Sequence, residues 1–200
     1  MALILNNSIL IGVFLLLLIF ILLSNFIMLK KFKILYNNII TNNNNDDVIE
    51  ENSTDQDRIS ILNDEKYYYH VLNAISSAKR EIDIIMFSIY KCKKTEELLN
   101  ELINARKRGV FIRIILDKDV DSNKEVKNIL GSEKIPIKLA DDRRIHNKLI
   151  IIDKDILIVG SHNWTDKALF GNRESSVVIR DKNTIKKMKR YFESVWCSLK

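Results

Sequence analysis

Hydrophobic residues are crowded at one end of this chain. From Ser8 to Leu29 it reads SILIGVFLLLLIFILLSNFIML, and residues 1–29 contain no Asp, Glu, Lys, Arg or His. As a helix this stretch is roughly 33 Å long, enough to cross a bilayer core of about 30 Å, so one transmembrane helix is expected. It lacks the basic leader, the short apolar length and the small-residue cleavage site of a secretory signal. Lys30, Lys31 and Lys33 follow immediately, and a basic flank on this side of a span places the rest of the chain in the cytosol.

The pattern then turns polar. Residues 34–57 run through Asn42 to Asn45 and carry Asp46, Asp47, Glu50, Glu51, Asp55 and Asp57, a composition too hydrophilic to bury a core and suited to a tether. Beyond it the apolar positions become periodic. Tyr68, Val71, Ile75 and Ala78 recur at helical spacing within 64–79, and 81–90 is a short apolar run of strand type. Residues 95–109 open on a Thr and acids and close on Lys, Arg and Gly, as a capped helix does. A strand is predicted over 110–117, a weaker helix over 122–130 and a strand over 135–140. A hairpin follows, with strands in 144–153 and 155–161 turning around Lys154 and Asp155, then a strand over 174–180. The last helix, about 181–198, places Ile185, Met188, Phe192, Val195, Trp196 and Leu199 on one core-facing side.

Strands alternating with helices predict an α/β sandwich, and the hairpin makes its central sheet mixed. The expected organisation is therefore an anchor with its basic flank (1–33), an acidic linker (34–57) and a globular body (58–200).

Charge sharpens this division. The net +6 of the whole chain averages an acidic linker with a body of 29 bases against 20 acids. A basic body favours an anionic partner, either nucleic acid or an anionic lipid surface. Cys92 and Cys197 form no C-x-x-C pair, which argues against a disulfide scaffold or a Cys-rich zinc site.

The candidate chemistry lies around the hairpin. In a strand, His146 and Lys148 project to one face ~7 Å apart, two polar intrusions that call for an anion such as phosphate. After the turn, Gly160 permits close backbone approach, while Ser161 and Asn163 share a face and offer hydrogen bonds to phosphoryl oxygens. A metal site from His146, His162 and Asp153 lacks ligand spacing, and His70 reads as an ordinary helix residue. Lys91, Lys93, Lys94, Lys118, Arg143, Arg144 and Arg173 fall in loops expected to border the site, where they would bind a phosphodiester backbone.

His146, Lys148, Asp153, Gly160, Ser161 and Asn163 together spell H-x-K-x4-D-x6-G-S-x-N, which resembles the signature of the phospholipase D superfamily. The resemblance continues through Trp164, Thr165 and Asn172 to Ile179 and covers about residues 65–198. It is closest to single-motif members, the bacterial endonucleases and the mitochondrial cardiolipin hydrolase. It implies a phospholipase D-like α/β/α sandwich and a phosphodiesterase needing neither metal nor other cofactor. In that mechanism His146 is the nucleophile, Lys148 and Asn163 stabilise charge, and Glu174 orients an imidazole. Ser161, Arg143, Arg144, Lys118 and Arg173 would bind substrate, with Asp153 and Gly160 structural.

The mechanism needs two histidines, and no internal repeat supplies a second motif, so a homodimer with a shared active site is expected. The substrate is nucleic acid or, alternatively, cardiolipin or another anionic phospholipid. A catalytically silent nucleic-acid-binding tether is the remaining class. The membrane would be the mitochondrial outer membrane if the chain is eukaryotic. The Cys and His cluster that animal members insert is absent here.

Overall fold

The computed structural model describes residues 58–199 together with Met28. The predicted membrane segment, its basic flank and the acidic linker lie outside the described residues. Among the described residues, no helix is long and apolar enough to cross a membrane.

In chain order the body contains β1 (Ile59–Asn63), α1 (Lys66–Ser77), β2 (Glu81–Met86), α2 (Lys93–Lys107), β3 (Phe111–Asp117) and α3 (Asp121–Ser132). Then come β4 (Ile137–Ala140), β5 (Lys148–Ile152), β6 (Ile156–Gly160), a π-helical turn (Lys167–Gly171), β7 (Ser175–Ile179) and α4 (Lys182–Ser198). The strands form one seven-stranded sheet in the order β1-β7-β6-β5-β2-β3-β4. Its β2–β3 and β3–β4 pairs are parallel and the others antiparallel, which is the mixed sheet expected from the hairpin.

Alternation of side chains divides the core into two layers. Ile82, Ile84, Ile112, Ile114, Ile150 and Val178 face α1, α2 and α3, meeting Tyr67, Val71 and Ile75 from α1 and Leu98 and Leu102 from α2. On the opposite face, Ile85, Ile115, Leu149, Ile151 and Leu157 pack against Ile185 and Phe192 of α4. Among the described residues α4 alone packs on this face, and it does not cover all seven strands. Towards the β1 edge, Ile59 and Ile61 stay 61% and 65% exposed, in register with Ile179 and Val177, so an apolar part of the sheet faces outward.

This strand order brings the ends of β2, β3, β4 and β6 and the starts of β5 and β7 to one edge of the sheet. The opposite edge carries the β5–β6 turn, where Asp153 and Lys154 adopt φ of 54° and 60°. The Asp153 carboxylate accepts backbone N–H bonds from Lys79 (2.9 Å), Arg80 (2.7 Å) and Glu81 (2.9 Å). Burial pushes this carboxyl up, but the three amides outweigh it and hold it below the usual aspartate range. Asp153 therefore fixes the start of β2 at the far end of the sheet from Lys148.

One strand is new and one expectation is corrected. β1 carries no local signal beyond five residues after a polar leash, and its partner β7 lies more than a hundred residues away, so the strand was not anticipated. His146 is not in a strand; it lies in the loop before β5, because the Ile145 N–H is taken by the side chain of Asp117 (2.8 Å) instead of a neighbouring strand.

At Gly160 the β6 and β7 backbones approach so closely that an added Cβ would sit 2.2 Å from Ser176 Oγ and 2.4 Å from both the Ser175 carbonyl and Ser176 Cα. Gly160→Ala is therefore expected to lower stability by about 1–3 kcal/mol or more, since backbone must move to admit the methyl. Asp153→Ala is expected to cost about 2 kcal/mol through its lost backbone bonds. Urea denaturation of the full chain checks both.

Candidate active site

The site is built on the edge where β5 begins and β6 ends. Lys148, the first residue of β5, pairs with Met86 at the end of β2 and is only 7% exposed. Its ammonium donates to the His146 carbonyl (2.8 Å) and lies 3.3 Å from Nδ1 and 3.4 Å from Nε2 of the His146 ring. Among the described residues it forms no ion pair closer than 4 Å. Burial pushes Lys148 below the ordinary lysine range, with the Glu174 carboxylate acting in the opposite sense. A buried, unpaired ammonium beside an exposed imidazole is poised for an anion.

Phe87, just past β2, lies beneath this pair. Its ring centroid is 4.7 Å from that of His146, and the cationic groups of Arg144 and Lys148 lie 5.0 Å and 5.2 Å from it. Such contacts weakly favour cations over the ring face.

The residues after β6 complete the edge. The Ser161 N–H donates to the Ser175 carbonyl (3.0 Å), and its hydroxyl accepts from the Ser175 N–H (3.1 Å), so Ser161 fastens β6 to β7. Asn163 keeps a buried Oδ1 with no hydrogen-bond partner, a group that costs about 1–3 kcal/mol while unmet. The Glu174 carboxylate accepts from Asn172 Nδ2 (3.0 Å). Burial pushes Glu174 up, but hydrogen bonds from Ser161 and Asn172 and the charges of His162 and Lys148 outweigh it, leaving the group below the usual glutamate range. Within the chain, Glu174 is placed near Lys148 and makes no hydrogen bond to His146.

The predicted basic residues divide into two groups. Arg143 and Arg144 lie exposed in the loop that carries His146, and with Lys118 they line a cavity of about 360 Å³ whose other walls include Asp119, Asp141 and Asp142. Arg173, although 94% exposed, is paired with Asp64 at 2.6 Å. Lys91 lies 3.7 Å from Glu96 and Glu125, and Lys94 lies 3.1 Å from Glu97, so their charge is largely met locally. Exposed Lys93 opens α2.

All three histidines fall within the described residues, and they differ sharply. His162 is fully buried and stacks on Tyr67 with centroids 4.2 Å apart. Its Nε2 donates to the Asp64 carbonyl (3.0 Å), so in the neutral ring Nδ1 accepts from the Ser176 hydroxyl (2.8 Å). Burial pushes its pKa below the usual histidine value, with backbone and acidic neighbours opposing. Both ring nitrogens are thus engaged. Burial pushes His70 below the usual histidine range, aided by the charge of Arg180, which lies beyond the end of β7 at the opposite edge of the sheet from the site. His146 is the only imidazole exposed at the site. Among the described residues, no group of three or more His, Cys, Asp or Glu is disposed to hold a metal ion.

Sequence reasoning missed Phe87, which looked like ordinary strand core, and Asp117 and Asn123, whose buried side chains tie the surrounding loops. An acid closing a run that is apolar apart from Arg113, as Asp117 does in VFIRIILD, was the available signal.

The family model described as "Cardiolipin synthase, PLD-like domain" matches residues 71–196. A mitochondrial cardiolipin hydrolase of Canis lupus familiaris is 28% identical over 141 residues, covering 70% of this chain and 54% of the relative. A protein of the same name from Chlamydomonas reinhardtii is 29% identical, covering 62% and 55% respectively. The chain spans little more than half the length of these relatives. Among solved structures, the phospholipase D family member Nuc from Salmonella typhimurium superposes with a TM-score of 0.63 at 25% identity, covering 71% of this chain and 97% of that one.

The contrast between the two imidazoles yields a stability prediction. His162→Phe keeps the stack on Tyr67 but orphans the Ser176 hydroxyl and leaves the Asp64 carbonyl with only the Tyr67 N–H (3.2 Å), at an expected cost of about 2 kcal/mol. His146→Ala should change stability by less than about 0.5 kcal/mol, as expected for an exposed side chain. Thermal denaturation of the two variants checks the contrast.

Proposed function

The chain belongs to the phospholipase D-like family, and from that premise we propose that it is a membrane-anchored phosphodiesterase, foremost an endonuclease, acting through a phosphohistidine at a site shared between two copies. The observation that carries this reading is the inventory of imidazoles. A two-histidine mechanism needs two exposed rings, and each chain offers only His146 at the site. A two-fold axis supplies the other. The apolar face left exposed at Ile59 and Ile61 is suited to a second copy.

A ring nitrogen of His146 attacks phosphorus and forms a P–N bond as the bond to the leaving oxygen breaks. That oxygen takes a proton from His146 of the partner subunit. Water then attacks phosphorus, giving its proton to the same partner ring, and the P–N bond breaks. Lys148 and Asn163 meet the charge developing on the phosphoryl oxygens. Glu174 orients an imidazole, and Ser161 steadies the loop that presents Asn163. Lys118, Arg143, Arg144 and Arg173 attract the substrate backbone, while Asp153 and Gly160 hold the frame.

Nucleic acid is the first substrate because Arg143 and Arg144 lie exposed in the loop that carries His146, where they would meet a phosphate backbone. The second reading, hydrolysis of cardiolipin or another anionic phospholipid, is favoured by the names of the relatives and by the apolar segment at 8–29, which would hold the site at a bilayer. The anchor and a cytosolic body, on the mitochondrial outer membrane in a eukaryote, belong to the same proposal.

The full chain in detergent, with EDTA present, is expected to cleave an oligonucleotide, and His146→Ala to abolish that cleavage. Cleavage confined to cardiolipin vesicles would instead select the lipid reading, and no cleavage of either would contradict both. The rate should fall at alkaline pH earlier than an ordinary lysine dictates: Lys148 acts as a cation, and a lowered pKa makes it lose its proton at lower pH. A pH–rate profile of the wild type against Lys148→Arg checks this, because arginine keeps its charge and should remove that limb.

A further inference from the structure

His146 sits in a loop outside the sheet ladder, yet its placement relative to Phe87 and Lys148 defines the site. Two buried polar side chains beneath the exposed edge account for this. Asp117, at the end of β3, is 1% exposed, and Asn123, in the first turn of α3, is 0% exposed. One oxygen of Asp117 accepts the Ile145 N–H (2.8 Å), one residue before the histidine; the other accepts the Asp119 N–H (2.9 Å). Asn123 Nδ2 donates to the carbonyls of Phe87 and Asp117, both at 2.8 Å, and its Oδ1 accepts from the Ile89 N–H (3.0 Å). The pair thus ties together the loop after β2, the loop after β3 and the loop before β5.

Burying a carboxylate and an amide is costly, and a well-packed apolar pair serves a core at least as well. What the polar pair adds is direction. It fixes the backbone beneath Phe87 and the backbone beside His146 against each other, so that ring and imidazole meet at 4.7 Å. We infer that Asp117 and Asn123 form a clasp of positioning residues that sets the attack geometry of His146. Nothing in the clasp reaches the phosphoryl contacts of Lys148 or Asn163, and although Asp117 also borders the cavity of Lys118, Arg143 and Arg144, Asn123 does not, so the effect the two share is the one on the histidine.

The role rests on the phosphodiesterase reading, and its test separates the two. Bis(p-nitrophenyl) phosphate serves as a generic diester for the full chain in detergent with EDTA. His146 reactivity towards diethyl pyrocarbonate, read by mass spectrometry of its peptide, reports ring placement without turnover. Asp117→Asn keeps the shape but turns an acceptor into a donor facing an N–H. It is expected to lower kcat about 10- to 100-fold, the scale of a small misplacement of a reacting group. The loosened His146 should react with diethyl pyrocarbonate at least about 3-fold faster, since a side chain freed from packing is more accessible.

Asn123→Asp, which removes both amide donations, should act in the same sense and stands in if Asp117→Asn does not fold. Asp153→Asn, weakened at the far end of the sheet, should lose stability yet keep its kcat at 25 °C. The clasp is overturned if a folded variant leaves either kcat or His146 reactivity unchanged, or if Asp153→Asn lowers kcat equally. A wild type that does not cleave the diester would overturn the phosphodiesterase reading instead, while the reactivity of His146 would still decide the clasp.

Discussion

Lys148 holds a positive charge in a nearly closed position, 2.8 Å from the carbonyl of His146 and within 3.4 Å of its ring nitrogens, with no carboxylate in salt-bridge contact among the described residues. An ammonium placed this way is costly in the free protein and is stabilised when an anion arrives. The rest of the site is arranged around that charge. Phe87 supplies a ring face beneath it, Glu174 lies near enough to temper its loss of proton affinity, and Asn163 offers an amide whose oxygen has no partner. A neutral neighbourhood would be simpler to fold and would have no hold on phosphate.

The fold contributes by convergence. Parallel β2 and β3 deliver Phe87 and Asp117 from their ends, and antiparallel β5, β6 and β7 bring Lys148, Ser161 and Glu174 to the same edge. The opposite edge is given to stability: Asp153 clamps the start of β2 there through three backbone amides. The two aspartates therefore do different things. Asp153 holds the frame from a distance, whereas Asp117, outside the motif, holds the loop of the histidine itself.

Much of this was readable from residue pattern. The alternation of apolar runs with helical periods gave the layers and the mixed sheet, and the spacing from His146 to Asn163 pointed to the proposed chemistry through polar residues in the loops beside β5 and β6. β1 was not readable, since a five-residue strand is recognisable only through β7, far along the chain. His146 was assigned to a strand because periodicity does not register a side chain, Asp117, replacing a ladder neighbour. The basic residues of the 91–94 segment looked available for substrate, but Lys91 and Lys94 have acids within 4 Å in the folded chain. Phe87 was hidden by its own hydrophobicity, which in sequence is indistinguishable from core.

The central claim is that one chain holds half of a reaction centre. Co-expressing wild-type and His146→Ala chains in known proportion, purifying the mixed population and measuring diester cleavage tests it most directly. If each site needs the imidazoles of both subunits, activity follows the square of the wild-type fraction, and an equal mixture retains about a quarter of full activity. Activity falling in simple proportion, with about half retained in an equal mixture of independent sites, would contradict the account.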